Sequence, residues 1–300
     1  MEEQGGGMNR ALVGRRYEGE PMAITPEQVE AYADATEDRN PHYRLGHAVA
    51  TQGVSSDGQR VPPLFGAYPL HRLAERVILD PELRMDVFRL VHGEQDMTFL
   101  RSLRPGETLH PRAQLRSIEA KVSGEVAVLE QELHAADGCV LRAVSHYFVR
   151  APRPAPGSDV PARPHADLVP ASRGPLLGEA WCTLAPEASA AFADASGDHN
   201  PIHTDDEIAR AVGLPGRIGH GMHTMAFAQR VVIDTLLGGD PRRLLRLALR
   251  FARPVFPGDT LHFTLWDAGT TEEGASRVAI EVSDPRGQAV VSKAWAACRA

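Results

Sequence analysis

Asp198 and His203 stand five residues apart across an Asn200-Pro201 step, in a run that reads Ala195-Ser196-Gly197-Asp198-His199-Asn200-Pro201-Ile202-His203-Thr204. Gly219-His220-Gly221-Met222 follows, just ahead of an apolar stretch. A carboxylate and an imidazole so spaced can share acid/base work, and a positioned acid or base contributes about 10²–10⁴-fold. That is not enough alone, because water addition or removal beside a carbonyl also needs the developing oxyanion to be stabilised. Gly221 is the expected donor: its N–H opens a helix whose dipole lies behind it, and the missing side chain allows close approach. Asn200, Gly197, His220 and Met222 are expected around this core. The Asn-Pro step sets the turn, and the Asn200 amide is a candidate support for the acid/base pair. His203, His220 and His223 invite a metal reading. Yet His220 and His223 straddle a helix start and no carboxylate or thiolate sits at ligand spacing in the sequence, so no metal is expected.

The loop needs a frame, and the surrounding pattern supplies one. Pro186 to Ser196 reads as a short Ala-rich helix stopped by Gly197, and Thr204 with Glu207 reads as a capping box for a second helix that Gly213 ends. Met222 to Leu237 is apolar on nearly all sides, as expected of a helix buried within its domain, and ends at Gly238-Gly239. Strand-like runs follow at Arg242–Arg253, Leu261–Trp266, Arg277–Val282 and Ala289–Ala297, an antiparallel meander wrapped round one helix. The arginines 242, 243, 246 and 250 are expected on a solvated sheet face. Arg217 and Arg253 are candidates for a phosphate contact.

The chain repeats itself. Phe99 to His110 matches Phe251 to His262 in register, sharing Phe, Arg, Pro, Gly, Thr, Leu and His, while Tyr32–Pro41 parallels Phe192–Pro201 and Glu75–Asp80 parallels Gln229–Asp234. Three ordered matches indicate two copies of one domain. The expected division is a flexible tail over 1–11, a first domain over 12–150, a linker over 151–175 and a second domain over 176–300. The linker carries seven prolines and too little apolar surface to fold alone. In the first copy Asp38 stands in the register of Asp198, but Glu37 replaces Gly197, Tyr43 replaces His203 and Ala67 replaces Gly221. A carboxylate without imidazole and glycine is expected to be inactive. The stretch from Asn40 to Ala67 is also six residues longer than its counterpart, which would reshape a tunnel over an apolar helix at Leu64–Leu79.

Composition narrows the class. With 300 residues, 43% hydrophobic, two domains with buried cores are expected. The formal charge of −7 without a basic block argues against nucleic acid as partner. Cys139, Cys182 and Cys298 are odd in number and widely spaced, which suggests a reducing compartment without disulfides. No run approaches the roughly 18 apolar residues of a membrane span and no signal-peptide pattern opens the chain, so a cytoplasmic protein with no membrane partner is expected.

The Ser196–His203 motif, with His220-Gly221-Met222 seventeen residues on, resembles the hydratase motif of the MaoC-like dehydratases, the (R)-specific enoyl thioester hydratases. The match is strong over the second copy and weaker over the rest of the chain, because the family includes duplicated members. The resemblance implies an α+β double-hotdog fold, a pseudo-dimer within one chain, with the first half shaping the acyl tunnel. It implies reversible hydration of trans-2-enoyl thioesters to (R)-3-hydroxyacyl thioesters, carried on coenzyme A or acyl carrier protein, with no cofactor of the enzyme's own. Asp198 and His203 then serve as acid/base and Gly221 as oxyanion donor. A hotdog thioesterase and a non-catalytic acyl-thioester-binding subunit are the alternatives, and a homodimer of the whole chain is compatible with all three.

Overall fold

The computed structural model describes residues 7–45, 58–151 and 173–299. The Pro-rich linker lies almost wholly outside them, as do residues 46–57 of the longer stretch between Asn40 and Ala67. In the first copy, β1 (Arg16–Glu18) and β2 (Met22–Ala23) precede α1 (Pro26–Ala35), and α2 (Ala67–Ile78) precedes β3 (Leu90–Phe99), β4 (Thr108–Lys121), β5 (Gly124–Ala135) and β6 (Gly138–Arg150). The second copy runs β7 (Leu176–Thr183), α3 (Ala188–Ser196), α4 (Asp206–Ala211), α5 (Gly221–Leu236), β8 (Leu244–Phe251), β9 (Thr260–Thr270), β10 (Ser276–Ser283) and β11 (Val291–Cys298). The strands form one sheet ordered β1-β4-β5-β6-β3-β8-β11-β10-β9-β7, with β2 on β4. Each half repeats the other about the central β3–β8 seam, as the tandem repeat requires.

That seam joins the copies by backbone pairing, with Glu94 opposite Arg250 and Thr98 opposite Arg246. Of the arginines expected on a solvated face, Arg242, Arg246 and Arg250 are partly exposed and also engaged in ion pairs. Arg246 forks onto Asp96 at 2.8 and 2.5 Å and lies over the Trp295 ring, and Arg250 reaches Glu94 at 3.8 Å. Arg242 and Arg243 precede the strand in a 3-10 turn, where Asp240 holds Arg242. Cross-strand opposite charges on a paired edge fix register, and here they fix the register of one domain against the other.

Helix α5 buries every residue from His223 to Gln229 and Val231 to Ile233, as its all-round apolar sequence requires. Helix α2 departs from expectation. It begins after a 3-10 turn at Pro63–Gly66 and buries a stripe, Pro69, Leu70, Leu73, Ala74 and Val77, while His71, Arg72, Glu75 and Arg76 lie off that stripe. Three sequence boundaries also need correction. Asp205, not Thr204, caps α4, because its Oδ1 accepts the N–H groups of Glu207 at 2.7 Å and Ile208 at 3.0 Å. Helix α3 begins at Ala188, two residues later than expected. Residues 8–11, assigned to a flexible tail, are docked: Met8 is buried, its N–H donates to Glu125 Oε2 at 2.8 Å, and Asn9 N donates to the Leu83 carbonyl at 3.0 Å. Among the described residues the three cysteines are free and no helix is long and apolar enough to cross a membrane.

Candidate active site

Gly197 ends α3 in the left-handed region at φ 75°, which turns the chain sharply out of the helix. Asp198 follows, and its Oδ1 accepts the Asn200 N–H at 3.2 Å. Asn200 in turn accepts the Ile202 N–H at 3.3 Å, capping the 3-10 turn Pro201–His203. The Asn200 side chain is therefore spent on the turn and exposed, and it supports Asp198 through its backbone rather than its amide. The turn buries His203, whose Nδ1 donates to the Ile218 carbonyl at 2.9 Å. That bond selects the tautomer and leaves Nε2 as an acceptor facing Asp198 Oδ2 at 4.0 Å.

His220, the residue before α5, donates from Nε2 to the Asp198 backbone carbonyl at 3.0 Å, and its ring stacks on His203 at 3.9 Å. This contact ties the helix start to the acid/base loop. Gly221 then opens α5, and its N–H is one of the four that a helix leaves without an intrahelical acceptor. Close approach at Gly221 comes from protein as well as any ligand, because a Cβ there would meet the Phe251 ring at 3.0 Å. Met222 packs half-buried against the core.

Electrostatics separate the groups. Burial would raise the Asp198 carboxyl, but the imidazoles of His71, His203 and His220 and the Asn200 N–H outweigh it and hold it below the ordinary range. Burial lowers His203, against the opposing pull of Asp198, and lowers His220 to about 4. Near neutral pH the pair is an ionised carboxylate beside a neutral imidazole. His223, buried and stacked on Phe192 at 4.6 Å, is lowered to about 3 by desolvation and sits in the core. The metal expectation rested on the absence of a carboxylate at ligand spacing, and folding supplies one: ligand atoms of Asp198, His203 and His220 lie within 4.8 Å of one another. Of these atoms Asp198 Oδ1 already accepts the Asn200 N–H and His220 Nε2 is bonded to a carbonyl, whereas His220 Nδ1 has no partner.

The first copy contributes residues that the sequence did not single out. From α2, His71 Nε2 stands 3.8 Å from Asp198 Oδ1, and Tyr68 packs over Gly197. From β3, His92 stacks on Tyr147 of β6 at 5.0 Å and meets Phe251 edge-on at 5.2 Å, and is lowered to about 4, first by burial and then by His71. Nothing in the repeat marks these positions, since they act on the other copy's loop. The first copy's own loop keeps the shape without the chemistry. Asp38 accepts the Asn40 N–H at 3.0 Å, as Asp198 does that of Asn200, but Tyr43 fills the imidazole position with a buried hydroxyl that has no partner.

Comparison with known proteins places both halves. Residues 169–286 match the family described as MaoC like domain, and residues 11–143 match the FAS1-like, dehydratase domain region. The Drosophila melanogaster peroxisomal multifunctional enzyme type 2 is 31% identical over 63% of this chain, a match that spans 32% of that enzyme. The Arabidopsis thaliana peroxisomal enoyl-CoA hydratase 2 is 29% identical, with 70% of each chain covered. A solved structure described as a MaoC-like dehydratase superposes with a TM-score of 0.81 at 23% identity, covering 96% of this chain and 98% of that one, and a Mycobacterium tuberculosis protein described as having a double hotdog fold superposes with a TM-score of 0.61 at 16% identity, covering 95% of each chain, which shows the shared double-hotdog fold.

Proposed function

This chain belongs to the MaoC-like dehydratase family, and we propose that it catalyses the reversible hydration of trans-2-enoyl thioesters to (R)-3-hydroxyacyl thioesters. The observation that carries the reading is the 4.0 Å approach of Asp198 Oδ2 to an uncommitted His203 Nε2 beside the N-terminus of α5. Two acceptors at that separation are both within hydrogen-bond reach of one water, since each leg spans about 2.8 Å. The pair takes a proton from that water as its oxygen bonds C3, and returns a proton to C2. The charge that passes to the thioester oxygen meanwhile is met by the Gly221 N–H. Atoms balance without a cofactor. The (R) outcome and the thioester rest on family membership and on the activities that the relatives' names give them.

The second copy does the chemistry and the first, with Tyr43 and Ala67 in place of imidazole and glycine, supplies walls and support. The acyl group arrives on coenzyme A or on an acyl carrier protein, and both carriers belong in the assay. Incubation with crotonyl-CoA tests the reading. Hydration removes the enoyl absorbance and yields (R)-3-hydroxybutyryl-CoA on chiral analysis. Release of a free thiol would establish a thioesterase instead, and binding without either change would leave an acyl-binding subunit.

A further inference from the structure

Helix α2 belongs to the first copy, yet its polar face is turned to the catalytic loop of the second. Tyr68, His71 and Arg72 recur at three- and four-residue spacing and so share that face. A Cβ on Gly197 would lie 2.5 Å from Tyr68 Cε2 and 3.6 Å from Arg72 Cγ. His71 Nε2 stands 3.8 Å from Asp198 Oδ1, with side-chain exposures of 25% and 22%. The opposite oxygen of the same carboxylate faces His203. One carboxylate is thus flanked by two imidazoles, one from each copy.

We infer that His71 is a positioning residue for the reaction, an inference resting on the acid/base reading above: the first copy supplies an imidazole that holds Asp198 as a carboxylate, with Oδ2 turned toward His203. The degenerate loop provides an internal comparison. By the register of Glu75–Asp80 on Gln229–Asp234, Met225 stands where His71 stands. There burial pushes Asp38 up to about 6, with Asp234 adding to it, against the weaker opposing pull of the Asn40 N–H, Arg230 and Arg44. At Asp198 burial acts in the same sense, and His71 is the foremost group opposing it. The other titratable groups facing Asp198 come from every element packed on it: His203 from the 3-10 turn, His220 ahead of α5, His92 from β3 and Tyr147 from β6. Burial is the foremost influence on His203, His220 and His92 and lowers each of them. A role for the first copy follows that wall-building alone does not explain.

The test is the pH–rate profile of crotonyl-CoA hydration for wild type, His71→Met, His71→Gln and His71→Arg, with the Asp198 carboxyl followed in the same proteins by carbon-13 NMR and assigned with Asp198→Asn. The uncharged variants shift the acid limb to higher pH, so that kcat falls several-fold at pH 5 and by less than about twofold at pH 7.5. His71→Arg keeps the limb near that of wild type, and KM changes little in all three. An equal loss at every pH, an unmoved limb, or Arg behaving as Met does would overturn the inference. The NMR titration keeps the two readings separable. A wild type that leaves crotonyl-CoA untouched defeats the hydratase reading alone, whereas an Asp198 titration unmoved by His71→Met defeats this inference alone.

Discussion

Replacing Gly197 with alanine tests how the two copies meet at the catalytic loop. Its φ of 75° lies in the left-handed region, where a Cβ costs roughly 1–2 kcal/mol. The new methyl would also stand 2.5 Å from Tyr68 Cε2 and 2.9 Å from Cδ2, closer than real contacts allow, so the ring must move. Tyr68 is held edge-on by Phe65 at 6.4 Å and is not a free surface side chain. Overpacking of that kind costs about 1–3 kcal/mol, and the sum is about 2–5 kcal/mol. Gly213→Ala is the matched control: its φ of 87° is equally left-handed, but nothing lies within 4 Å of its Cβ position. It should cost only the conformational part. Urea unfolding of both variants measures the difference, expected at about 1–3 kcal/mol. In a Tyr68→Ala background the excess should vanish, because the partner of the overlap has gone. Equal costs for the two glycines, or an excess that survives removal of Tyr68, would refute the contact between α2 and the catalytic loop.

Further outcomes follow from the same geometry. Asp198→Asn and His203→Ala should each abolish crotonyl-CoA hydration while leaving the thermal transition near that of wild type, and Asp38→Asn should keep most of the activity. Asp38→Asn should also stabilise the protein in a pH-dependent way. Its folded value of about 6 lies above the unfolded value near 3.9, so the native state loses stability as pH rises through that window, up to about 3 kcal/mol. The variant should therefore gain on wild type at pH 7.5 and not at pH 3.5, as scanning calorimetry at both would read. Gln229→Leu removes the acceptor of the buried Leu64 N–H, a 2.7 Å bond between the copies, and should cost about 1–3 kcal/mol in urea unfolding. Residues 173–300 expressed alone expose the β8 edge, which β3 covers in the full chain, and should aggregate or lack activity in size-exclusion and hydration assays.

The sequence alone determined the helices and the catalytic loop of the second copy, and the strands that follow them, but not the opening strand β7. Left-handed Gly197, the Asn200-Pro201 turn and the all-round apolar α5 are local signals, written within a few residues of where they act, and the tandem repeat set the symmetric sheet order. Local patterning erred where caps compete. Asp205 caps the helix that Thr204 was expected to cap, and Met8 is fastened by Glu125, more than a hundred residues away. Only the tertiary structure decided what crosses the seam. Arg246 and Arg250 alternate with leucines as an exposed strand face would, and only the pairing of β8 with β3 gives them Asp96 and Glu94. His71 lies on a helix whose period marks the buried stripe and says nothing about the polar face, so its approach to Asp198, 127 positions later, was invisible in either copy. Periodicity records which face of an element leaves water. It does not record which distant element that face will meet, because that contact is chosen by the packing of two domains, each of which the sequence describes separately.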